Sequence, residues 1–84
     1  MKIFIGNLCP NATEPQLYEL FAPFGTVDSV HIMTDQKSGQ PRGFAYVEMS
    51  DGGNEAIQAL NQCELDGHIL YVNGAWPYRR HFRL

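Results

Sequence analysis

Apolar positions along this chain switch between two periods, and the switches mark its elements. Lys2-Ile3-Phe4-Ile5-Gly6-Asn7-Leu8 is rich in β-branched and aromatic residues and is stopped by Gly6-Asn7 and Pro10, which predicts a strand. Thr13-Glu14-Pro15-Gln16 predicts a helix start: Thr13 caps, Gln16 completes a capping box, and Pro15 is tolerated in the first turn. Leu17, Leu20, Phe21 and Phe24 then recur at helical spacing, and Gly25 is placed to stop the helix. Val27, Val30 and Ile32 predict a second strand to about Thr34, followed by a polar loop, Asp35-Gln36-Lys37-Ser38-Gly39-Gln40-Pro41. Arg42 to Met49 alternates with period two. Ser50-Asp51-Gly52-Gly53 opens a second helix with Ala56, Ile57 and Leu60 inside, its two glycines costing about 1 kcal/mol each relative to Ala. Asp66-Gly67 is a turn, and Ile69-Leu70-Tyr71-Val72 is a fourth strand. The order β-α-β-β-α-β predicts an α+β, ferredoxin-like split βαβ sandwich: a four-stranded antiparallel sheet with two helices on one face.

Such a sheet leaves its other face in water, so the alternation decides what that face displays. In the third strand Ala45, Val47 and Met49 suit the helix side, which turns Arg42, Phe44, Tyr46 and Glu48 outward. By the same rule Ile3, Ile5, Val30, Ile32, Leu70 and Val72 face in, while Lys2, Phe4, Gly6, His31, Met33, Tyr71 and Asn73 face out. The wet face therefore gathers Phe4, Phe44, Tyr46, Tyr71, His31 and Met33. Folding gains little from exposed rings, and a large exposed aromatic patch marks a binding surface. Rings so spaced suit unpaired bases, because every base has a π-face.

The octamer Arg42-Gly43-Phe44-Ala45-Tyr46-Val47-Glu48-Met49 and the hexamer Ile3-Phe4-Ile5-Gly6-Asn7-Leu8 resemble the two signature motifs of the RNA recognition motif (RRM) family, in the right order and separated by the expected helix and strand. The octamer departs only at Met49, where an aromatic is usual, and alternation makes that a core position. The resemblance covers residues 2 to about 75, and the short chain is similar to small bacterial single-RRM proteins. It implies a strand order of 4-1-3-2, which sets Phe4, Phe44 and Tyr46 side by side. It implies that Phe4 with Phe44 or Tyr46 stacks bases or sugars, that Arg42 pairs with a phosphate, and that main-chain groups near Asn73 and Ala75 read base edges. Lys2, Asn7, His31, Met33, Glu48, Tyr71, Trp76 and Arg79 complete the expected RNA-binding set. Basic residues common in the family around the fourth strand are missing; His68 and Tyr71 stand there.

Length and charge add bounds. At 84 residues and 44% hydrophobic, the chain is one ordered domain, read here as 1–76 with a basic, aromatic tail over 77–84. No apolar run spans a membrane and no secretion signal is visible, so the expected compartment is the cytoplasm, or the nucleus in a eukaryote. Cys9 and Cys63 are unclustered and expected as free thiols, with no metal site and no cofactor. The net charge of −3 opposes nucleic-acid binding, but it is unevenly spread: residues 1–78 hold all nine acids and three of the six basic residues, for −6, and Arg79, Arg80 and Arg83 return +3. The tail Trp76 to Leu84 reads in three ways: it extends the site across the sheet, covers the sheet, or has no role.

Rival classes fare less well. A protein-interaction module on the same fold fits the acidic charge, but has no need of exposed rings beside Arg42. An acylphosphatase-like enzyme needs a phosphate-cradling loop, and Asn7-Leu8-Cys9-Pro10-Asn11 has neither Arg nor a Gly-rich run. His31 and His68 also read as plain sheet-rim residues, Glu48 as a solvated face residue, and Tyr18 as a surface ring. The expected function is non-enzymatic binding of single-stranded RNA by a monomer in post-transcriptional regulation, with single-stranded DNA a weaker ligand.

Overall fold

In the computed structural model, β1 (Lys2–Gly6), α1 (Glu14–Phe21), β2 (Val27–Thr34), β3 (Pro41–Met49), α2 (Gly53–Leu60), β4 (Glu64–Leu65), β5 (His68–Ile69) and β6 (Tyr71–Gly74) follow one another, with a 3-10 turn over Ala22–Phe24 after α1. The structure describes residues 1–34, 37–39 and 41–74, positions 41 and 42 by their backbone alone. The main sheet runs β2-β3-β1-β6 with every neighbour antiparallel, which is the expected 4-1-3-2 order with β6 as the fourth strand.

Alternation sorts the faces as anticipated. Ile3, Ile5, Ala45, Val47, Met49, Leu70 and Val72 meet Leu17, Phe21, Ala56 and Leu60 of the helices in one core, and Val30 and Ile32 pack against it half-buried. Each large side chain so buried contributes about 1.5–3 kcal/mol. Met49 is among the fully buried residues, so its departure from the family octamer is a packing matter. The Thr13 capping box forms: the Gln16 N–H donates to Thr13 Oγ1 at 3.3 Å and the Thr13 N–H to Gln16 Oε1 at 2.9 Å.

Four expectations need correction. First, β1 ends at Gly6, and Asn7 takes a left-handed φ of 59° instead of extending the strand to Leu8. Second, α1 ends at Phe21, and Phe24 belongs to the tighter turn that follows. Gly25 closes that turn with an extended φ of 167°, so close approach requires it, not left-handed backbone: a Cβ there would lie 2.1 Å from the Asp51 carbonyl oxygen. Third, Gly52 is the cap of α2 and not its first turn, held at φ 78° with its own Cβ position 1.9 Å from the Phe24 carbonyl oxygen. The pair Gly25–Gly52 is thus a backbone-to-backbone joint between the two halves of the fold, and only Gly53 carries the helix-propensity cost. Fourth, the run from Ile69 to Val72 is not one strand. Leu70 turns its N–H to the Cys63 carbonyl and its carbonyl to the Gln62 N–H, both at 2.8 Å. His68–Ile69 pairs instead with Glu64–Leu65 in a small hairpin about Asp66-Gly67, and the sheet strand starts at Tyr71.

Candidate nucleic-acid interface

Strand register places the outward residues in rows across the sheet. In the central row Asn73 lies opposite Phe4, Phe4 opposite Tyr46, and Tyr46 opposite His31. On one side Tyr71 lies opposite Gly6 and Gly6 opposite Phe44; on the other Lys2 lies opposite Glu48 and Glu48 opposite Ser29. Phe4, Phe44 and Tyr46 form a triangle, with centroids 5.8 Å apart for Phe4–Phe44, 5.7 Å for Phe4–Tyr46 and 6.3 Å for Phe44–Tyr46. Their planes are tilted by 35°, 62° and 87° respectively. These tilted and edge-on contacts are favourable by about 0.5–1.5 kcal/mol per pair, and at these separations no ring is capped flat by another. All three rings are half-buried.

Gly6 makes room for this arrangement. The Phe4 ring leans over it, and a Cβ at position 6 would stand 3.0 Å from Phe4 Cε2. Beside the triangle, Lys2, Ser29, His31, Met33, Tyr46 and Glu48 line an open groove of about 330 Å³. Lys2 Nζ sits 5.0 Å from the centre of the Tyr46 ring, a cation–π contact. Glu48 is an acid of this face, whereas Glu14, Glu19, Glu55, Glu64 and Asp66 are exposed on the helices and the β4–β5 hairpin. The fold thereby moves much of the negative charge off the aromatic face.

Of the expected site residues, the structure brings Phe4, Phe44 and Tyr46 into contact and gathers Lys2, His31, Met33 and Glu48 around the adjoining groove. Tyr71 is 56% exposed at the β6 end of the face, in the row of Gly6, and Asn73 is exposed beside Phe4. Asn73 Oδ1 accepts the N–H of Gly74 at 2.9 Å. Asn7 has a structural duty: its amide donates to the Ile69 carbonyl at 2.8 Å and ties the end of β1 to the hairpin. The side chain of Arg42, and Ala75, Trp76, Arg79 and the tail over 77–84, lie outside the described residues. Sequence reasoning passed over Ser29 as a groove residue although it shares the outward parity of His31 and Met33, because a small hydroxyl carries no stacking signal. It also passed over Gly6 as the seat of the Phe4 ring. Cys9 is buried and Cys63 half-buried, both free; burial pushes the Cys63 thiol pKa up against a smaller opposing effect of a backbone hydrogen bond.

A split βαβ sandwich with clustered rings on its open face is thus the class that fold and site define. The chain belongs to the RNA recognition motif family, whose model matches residues 3–71. It is 46% identical over 79 residues to a protein of Nostoc sp. strain PCC 7120 provisionally named RNA-binding protein RbpA, covering 92% of this chain and 78% of that one. Its fold is similar to the crystal structure of RNA binding protein PG1, with a TM-score of 0.87 and 37% identity over 90% of this chain and 94% of that one. It also matches the Sex-lethal protein in a complex with RNA, with a TM-score of 0.84 and 29% identity over 90% of this chain and 47% of that one.

Proposed function

We propose that this domain binds single-stranded RNA by laying unpaired bases on Phe4, Phe44 and Tyr46. The observation that carries this reading is the ring triangle on the helix-free face of the sheet. The RNA-binding name of the Nostoc relative and the RNA held in the Sex-lethal complex support it. Stacking needs only a π-face, whereas the paired bases of a duplex hide theirs, which favours single strands. Arg42 meets a phosphate, and Lys2 lies beside the Tyr46 platform. His31, Met33, Glu48, Tyr71 and Asn73 border the bases, and Ala75, Trp76 and Arg79, which follow β6 in sequence, are further RNA contacts. Asn7 acts by holding the end of β1. The domain works by binding and not by catalysis, as a monomer, and holds single-stranded DNA more weakly because DNA lacks the 2′-hydroxyl.

Each stacked base is worth about 1–3 kcal/mol. Two or three stacks, less the ordering of the strand, set an affinity of about −8 kcal/mol, near micromolar. Phe44→Ala with Tyr46→Ala removes two platforms and leaves the buried face of β3 intact. Fluorescence anisotropy with short single-stranded RNA is expected to show at least about a 30-fold loss, from two stacks at the low end of their range. Circular dichroism reports a retained fold. Unchanged affinity in the double variant overturns the reading.

A further inference from the structure

The groove beside the ring triangle has an apolar end and a polar end. Met33 and the Tyr46 ring offer a surface for a planar base, while Lys2, Glu48 and Ser29 stand opposite one another across three strands at the other end. Directly opposed residues have Cβ atoms about 4.5–5.5 Å apart, so Glu48 and the Lys2 opposite it reach the same ligand edge. At neutral pH a glutamate carboxylate only accepts hydrogen bonds, through two oxygens, and a lysine ammonium only donates. The polar end therefore fits a base edge that presents two adjacent donors beside an acceptor.

Among the four RNA bases, guanine alone meets this requirement, with N1–H and the 2-amino group side by side and O6 next to them. Uracil sets one donor between two acceptors that would face the carboxylate, and cytosine and adenine present a single amino group beside ring acceptors. We infer that this groove is a guanine-selecting subsite, in which a guanine stacks on Tyr46 in place of the Lys2 ammonium, Glu48 accepts from N1–H and the 2-amino group, and the displaced Lys2 ammonium donates to O6. The inference rests on the RNA-binding reading above and names the base which that same face prefers. It also gives Glu48 a purpose: a carboxylate on a face that meets phosphates weakens binding in general unless it pairs with donors on the ligand.

The test measures anisotropy for five seven-nucleotide RNAs, uridine throughout except for a central guanosine, adenosine, cytidine, uridine or inosine. Inosine keeps O6 and N1–H and lacks the 2-amino group. The full chain is expected to favour guanosine over uridine about tenfold, toward the low end of what a bidentate base contact gives, with inosine between them. Glu48→Gln keeps the size and loses one acceptor, so the guanosine-to-uridine ratio falls to within about twofold. Glu55→Gln, on α2, keeps the full ratio. A carboxylate that acted only by repelling phosphates would shift all five RNAs together in Glu48→Gln and leave the ratio intact, and that result overturns the proposal. So does equal binding of all five RNAs by the full chain, which leaves RNA binding itself standing. Binding of none of the five overturns both readings.

Discussion

At the scale of single residues, side-chain direction in the strands follows sequence parity closely. Ile3, Ile5, Ala45 and Val47 are fully buried, while Phe4, Phe44 and Tyr46, interleaved with them, share the open face. What parity cannot express is how an outward ring is held. Phe4 rests over the empty position at Gly6, and any side chain at position 6 competes with it for space. Gly6→Val is therefore expected to displace the Phe4 ring and cost about one stack, roughly a tenfold loss of RNA affinity measured by anisotropy. Thermal unfolding should show a smaller effect, because the contact that gives way is the half-buried ring and not the core beneath it. Wild-type affinity in this variant would show that Phe4 needs no seat at Gly6.

Among the elements, the joint between Gly25 and Gly52 binds the α1–β2 turn to the β3–α2 turn. Thr26 N–H donates to the Asp51 carbonyl and Ser50 N–H to the Thr26 carbonyl, each at 3.2 Å, so the two chains are laced on both sides of the glycines. Gly52→Ala meets two obstacles, a left-handed φ of 78° and the Phe24 carbonyl in the place of its Cβ. Gly67→Ala meets only the first, since at φ 83° nothing lies within 4 Å of its Cβ position. The left-handed penalty is about 1–2 kcal/mol; urea unfolding is expected to give about that for Gly67→Ala and at least about 1 kcal/mol more for Gly52→Ala, the cost of shifting a packed backbone. Equal losses would mean that the joint opens freely. The sequence pattern read Gly25 as a helix stop and Gly52 as part of the first turn of α2, and it missed their joint, because close approach between segments 27 positions apart leaves no local trace. The β4–β5 hairpin escaped for a related reason. Its strands have two residues each, too few to show alternation, and Leu70 looks continuous with Tyr71 until its backbone bonds to Gln62 and Cys63 are seen. The capping box and the long strands were legible because their determinants are local: Thr13 and Gln16 are three residues apart, and β3 carries its period over nine residues.

For the whole molecule the governing quantity is charge. Residues 1–78 sum to −6, with exposed acids such as Glu14, Glu19, Glu55, Glu64 and Asp66 on the helices and the hairpin and Lys2 on the sheet. Affinity for single-stranded RNA falls with salt at a log–log slope of about −0.7 per neutralised phosphate. Arg42 alone gives about −0.7 by that relation, and adding Arg79, Arg80 and Arg83 steepens the slope to about −3. At 0.1 M salt, charges separated by more than about 10 Å are largely screened, so arginines away from the bound strand would leave the slope at its shallow value. The sequence places these three arginines within six positions of one another, past the strand that borders Phe4, and the expected outcome is that they contribute. Removing residues 79–84 should then weaken binding and flatten the slope from about −3 to about −0.7, read from anisotropy titrations of one uridine-rich oligomer between 50 and 300 mM salt, a window of roughly the size in which such slopes are resolved. Tighter binding after truncation would mean that the tail competes with RNA for the sheet. An unchanged slope would confine phosphate contacts to Arg42.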